Sequence, residues 1–185
     1  DMAQDFPVAP LHPASWLLML VAPALVILGL LLSQQQTTPI PTWLPFLVSL
    51  VMIGLVLALR RRRISVDGHE LVIAATFYTR RIAIGALDLD KARIINLAEH
   101  TEFKPAIKTN GFNLPGFLAG HCRLRNRAKA FCLLTDRERV LLLPQSDGTL
   151  VLLSPEKPQA LLARLRELAE QKPHAHQLAQ GTARR

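Results

Sequence analysis

The residues best equipped for chemistry lie in one stretch, residues 98–118 (AEHTEFKPAIKTNGFNLPGFL), and in two cysteines just beyond it. Glu99, His100 and Glu102 make half of a metal-ligand set, but no further His, Cys or carboxylate follows at helical or knuckle spacing. His174 and His176 fall in a tail-like end. No metal and no cofactor is expected from this pattern. Cys122 and Cys132 should face each other on neighbouring strands. A reactive thiol needs a lowered pKa and exposure, so two buried, reduced, small apolar side chains are the expectation, with thiol redox activity the minor alternative. No nucleophile elbow, phosphate loop or HExxH pattern is present, and the residues point away from an enzyme.

Binding chemistry has more to stand on. Gly111, Gly116 and Gly120 allow close backbone approach, Asn110 and Pro115 supply turn chemistry, and Phe112 and Phe117 offer apolar contacts. Lys104 and Lys108 add positive charge to the same stretch, which is longer than an ordinary connection. These nine residues are the candidate partner or ligand loop; the plainer alternative has the glycines serving positive φ and the aromatics closing a barrel end. A second group is cationic: Arg60, Arg61, Arg62 and Arg63, then Arg123, Arg125, Arg127 and Lys129 around a turn. Each such charge is worth on the order of 1 kcal/mol near an anionic lipid surface. A solvated polar face is the competing account of the second set.

The elements that must position these residues divide sharply. All 22 Lys and Arg follow Leu59, and residues 1–59 hold only Asp1 and Asp5 as charges. Half of the chain is hydrophobic, and its mean hydropathy is +0.22. Residues 14–32 (ASWLLMLVAPALVILGLLL) are uncharged and, as a helix rising about 1.5 Å per residue, long enough for a hydrocarbon core. Pro23 should kink that helix rather than end it. Residues 42–59 form a second apolar stretch, and residues 33–41 (SQQQTTPIP) a short external turn. Trp16 and Trp43 suit the interface, and the four arginines hold the second helix end inside. Residues 1–13 then become a cytoplasmic N-terminal segment of a bacterial inner-membrane protein. Neither helix carries an ionisable residue, which favours an anchor over a transport path.

Past Arg63 the apolar period falls to two. Strands are expected at 64–66, 71–77, 81–84 and 92–97, with Asp67-Gly68 as the first turn. After the long loop, strands at 120–124, 130–135, 140–143 and 150–153 should form an antiparallel meander. Ser154 can cap a last helix whose Leu161, Leu162, Leu165 and Leu168 share one side. Residues 172–185 have the composition of a disordered tail.

About seven antiparallel strands in a sandwich or open barrel, plus a C-terminal α-helix, is the pleckstrin-homology-like plan. The segments ISVDGHELVI, YTRRIAIGALDLDKARIINL, NGFNLPGFLAGHCRLRNRAKAFCLLTD and VLLLPQSDGTLVLLSPEKPQALLARL resemble a bacterial PH-like family found behind membrane helices. The resemblance covers about residues 62–168, within an expected domain at 60–171, and it implies a non-enzymatic interaction module. The phosphoinositide-binding loop of many eukaryotic PH domains has no counterpart here, since the turn Asp67-Gly68-His69 is short and acidic. The expectation is a membrane-anchored interaction or assembly module. It would have a protein partner or self-association, anionic lipid as an alternative ligand, and no nucleic acid.

Overall fold

The structure is a computed structural model that describes residues 4–11, 13–33, 41, 43–75, 78–114 and 116–182. The chain opens with β1 (Gln4–Phe6), followed by helices α1 (Pro13–Ser33) and α2 (Trp43–Arg60). Strands β2 (Arg62–Asp67), β3 (Glu70–Ala75) and β4 (Tyr78–Ala83) follow. Next come β5 (Arg93–Ile95), β6 (Pro105–Leu114), β7 (Phe117–Leu124), β8 (Lys129–Leu134), β9 (Val140–Pro144), β10 (Leu150–Leu153) and α3 (Pro158–Thr182).

Two sheets pack face to face. The first runs β1-β2-β3-β4 and the second β5-β9-β10-β8-β7-β6. Alternation sets the first: Ile64, Val66, Leu71, Ile73 and Ala75 point inward and are buried, while their neighbours face out. The first turn is shifted by one residue from its expected place, with Asp67 paired to Glu70 across Gly68-His69 and Gly68 at φ 58°. The second sheet is apolar on both faces. Phe131, Leu133, Leu141 and Leu143 enter the core between the sheets, with Leu161 and Leu165 of α3. Cys132, Leu142 and Leu152 belong to a second cluster on the far face, against Leu97 and Phe103.

Several expectations change. The long loop at 98–118 is instead a short helical turn, Thr101–Phe103, and the ten-residue strand β6 paired antiparallel with β7. Asn110-Gly111 suggests a turn but lies within β6, which has register shifts at Pro105/Ile107 and Lys108/Asn110, whereas Gly116 does stand in a turn. The four later strands are not a pure meander, because β10 inserts between β9 and β8 and runs parallel to β8. Ser154 does not cap α3; its hydroxyl donates to the Asp136 carbonyl oxygen at 2.7 Å. The helix starts at Pro158, whose fixed φ suits a first turn. It continues to Thr182, so most of the expected tail is helical.

The N-terminal segment is woven into the domain. Phe6 pairs with Ile64, Val8 bridges Pro155, and the Ala9 N–H donates to the Ser154 carbonyl at 2.9 Å. The Thr135 hydroxyl donates to the Ala9 carbonyl at 2.7 Å, and Phe6, Ala9 and Leu11 are buried. Helices α1 and α2 coincide with the two apolar stretches, yet among the described residues no helix is long and apolar enough to cross a membrane. The expected turn at 33–41 lies almost wholly outside the described residues. What the fold shows is a pair of helices with apolar side chains facing outward, Leu20 being 71% and Phe46 77% exposed.

Candidate functional site

Strand β6 and its surroundings gather most of the residues singled out by the sequence. Residues Gly111 and Gly120 stand opposite each other across β6 and β7. A Cβ on Gly111 would meet the Ala119 carbonyl oxygen, and one on Gly120 the Asn110 carbonyl oxygen. These glycines therefore allow a close approach of the two strands. Asn110 accepts the Tyr78 hydroxyl at 2.7 Å, tying β6 to β4 of the other sheet. Gly116, at φ 78°, turns the chain into β7. Phe117 is buried in the inter-sheet core and is not an exposed contact. Lys108 and Phe112 hold positions in β6, and Pro115 lies outside the described residues.

The strand is also an edge, since β6 ends the second sheet. Among the described side chains of β6, Ile107, 64% exposed, is a large apolar one standing in the open. Nearby the far face holds a cavity of about 580 Å³. Its floor is Leu97, Leu118, Cys122 and Leu134, and Pro105 and Ala106 form a wall. Lys104, Arg125 and Arg137 line the same cavity. Lys104 from the first candidate group and Arg125 from the second thus meet, joined by the Arg125 N–H donating to the Lys104 carbonyl at 3.0 Å. The rest of the second group does not converge: Arg123 faces Lys129 across the strands, and Arg127 occupies the turn at φ 65°.

The four arginines at the foot of α2 take separate roles. Arg60 ends the helix, and Arg61 donates to the Thr79 hydroxyl at 3.3 Å. Arg63 approaches Asp5 of β1 at 3.7 Å. Arg62 lies over the Phe117 ring, 5.9 Å from its centroid, and its Nε and Nη1 are buried without a partner. Burial pulls that guanidinium below its ordinary pKa.

A polar cluster that no spacing announced joins β4 to β7. Arg80 lies 3.3 Å from His121 Nε2, donates to the Gln145 side chain at 3.0 Å and sits over the Phe131 ring. A guanidinium can only donate, so Nε2 accepts and the imidazole is neutral. Burial, and then the Arg80 charge, hold His121 below the ordinary histidine range. The cluster offers an ordered cation beside a weakened base. Cys122 and Cys132 are paired to each other and buried, rather than the separate reduced thiols expected. His100 and Glu102 approach at 3.6 Å.

The bacterial PH domain profile matches residues 62–169. This chain belongs to the bacterial PH domain family. No curated protein and no solved structure matches it. The match begins at β2 and ends in α3, so β1 and the extended segment through Leu11 complete this bacterial PH domain from outside the matched region.

Proposed function

We propose that the chain is a non-enzymatic, membrane-anchored interaction or assembly module of the bacterial inner membrane, with α1 and α2 as its anchor. The observation that carries this is the outward apolar surface of both helices, which water does not favour over so many side chains. The uncharged run at 14–32 and the arginines after Leu59 support the same placement. Because β1 pairs with β2, the N-terminus and the domain lie on one side of any bilayer the helices enter. The arginines assign that side to the cytoplasm.

The domain would act by position, since an anchored module meets its partner at a raised effective concentration. A protein partner, or a second copy, docks on β6 by strand addition, with Ile107 as its apolar contact. Flotation of the full chain with vesicles, followed by an alkaline carbonate wash, tests the anchor. The chain should stay with the lipid; release into the wash would contradict it. A photoreactive residue at Ile107 tests the docking edge, where crosslinks to protein are expected and their absence in membranes would remove that surface.

A second account, anionic-lipid binding, is favoured by a specific observation. Among the described residues, Arg61 and Arg62 form no ion pair with a carboxylate, although they follow directly on α2. Vesicle binding that weakens steeply with salt would support it.

A further inference from the structure

The geometry points to the 580 Å³ cavity as a binding site for a single-chain anionic lipid, such as a long-chain fatty-acid anion. Three features combine. First, the floor is apolar and continuous with the far-face cluster of the second sheet, as Leu97, Leu118, Cys122 and Leu134 all belong to that cluster. The volume is within the roughly 300–1,000 Å³ of small-ligand sites.

Second, the rim is charged with an excess of cations. Lys104, Arg125 and Arg137 line the cavity against Asp136 and Glu138, and none of the three cations is in an ion pair among the described residues. Counting both carboxylates, the lining keeps one net positive charge, so an anionic head pairs with the cations there while its chain lies on the floor.

Third, the cavity sits at the end of the domain from which both helices leave. Thr135, on its lip, donates to Ala9, four residues before α1 begins. Phe117, also on its lining, carries the Arg62 guanidinium two residues after α2 ends. The source of the ligand rests on the membrane placement proposed above; the site itself does not.

The test uses the full chain in phosphatidylcholine vesicles with palmitate bearing a photoactivatable diazirine in its chain. Adducts should map to β7 and β8 around Leu118 and Leu134. They should be displaced by unlabelled palmitate but not by a hexadecyl trimethylammonium cation. Ala106→Trp, at an exposed position that also lines the cavity, should reduce these adducts at least tenfold. The rim double variant Lys104→Glu with Arg137→Glu should reduce them at least threefold, and it decides the matter if the tryptophan variant does not fold. Adducts confined to α1 and α2, or cavity adducts unchanged in the folded variants, overturn the site while leaving the anchor in place. Should the chain fail to float with vesicles, the anchor is overturned, and the same labelling with palmitate in solution still decides the site.

Discussion

Helix α3 and the pair α1 and α2 are all rich in leucine, yet they place it oppositely. On α3, Leu161, Leu162, Leu165 and Leu168 form one buried row against the sheets, with Arg164 and Glu167 paired at 2.9 Å beside it. On α1 and α2, apolar residues occupy every side, and one domain surface cannot cover them. Among the described side chains of the two helices, Leu55 and Val56, near the end of α2, pack against the core. The difference lies in what covers each helix: the leucines of α3 are covered by the domain, whereas those described on α1 and α2 largely stand exposed. The foot of the pair is nevertheless rigidly mounted, because α1 leaves from the segment that extends β1 and α2 enters β2, two adjacent strands of one sheet.

The sharpest way to break this comparison is to truncate the same residue type in both places. Leu165→Ala should cost about 2–5 kcal/mol of domain stability, the usual effect of a cavity in a packed core. Leu20→Ala should leave domain stability unchanged to within about 0.5 kcal/mol. Chemical denaturation of both variants in mild detergent measures the pair; equal losses would erase the distinction. A smaller effect is expected for Gly120→Ala, where the new methyl meets the backbone of β6 and cannot be relieved by a side chain, at roughly 1–3 kcal/mol. Thr135→Val tests the mount itself. It removes the hydroxyl held by Ala9 and leaves a buried carbonyl without that donor, for about 1–2 kcal/mol and faster proteolysis of the segment before α1.

Smallest is a pH effect. The folded state holds His121 below its ordinary value of 6.5, so the unfolded chain takes up the proton first as pH falls. Stability is therefore full above the ordinary histidine range and declines as pH drops below 6.5 towards the folded value. His121→Gln should flatten that decline in melting curves recorded across the range.

The sequence displayed those features that rest on periodicity. Alternation announced β2 and β3, short apolar runs between turn residues announced β8 and β9, and the four leucines of α3 announced its buried face. The family resemblance at about residues 62–168 agrees with the match at 62–169. What stayed hidden depends on contacts between distant segments. Gln4–Phe6 is too short to signal a strand, and its pairing with β2 exists only because two helices bring the chain back. β6 was concealed by Asn110 and Gly111, which suggest a turn but here serve a bulged strand and its close crossing with β7. The parallel placement of β10 beside β8 has no local signature either. Of the candidate residues, Lys104 and Arg125 were visible as charges, but their meeting at one cavity came from the strand pairing.

The central claim is that a bilayer covers α1 and α2, and one measurement addresses it directly. Nitroxide labels at Leu20→Cys, Leu50→Cys and Ile107→Cys in vesicles are compared for collision with dissolved oxygen and with a water-soluble nickel chelate. Positions 20 and 50 should favour oxygen and exclude nickel, while position 107 should admit nickel freely. Nickel reaching 20 and 50 as readily as 107 would contradict the account.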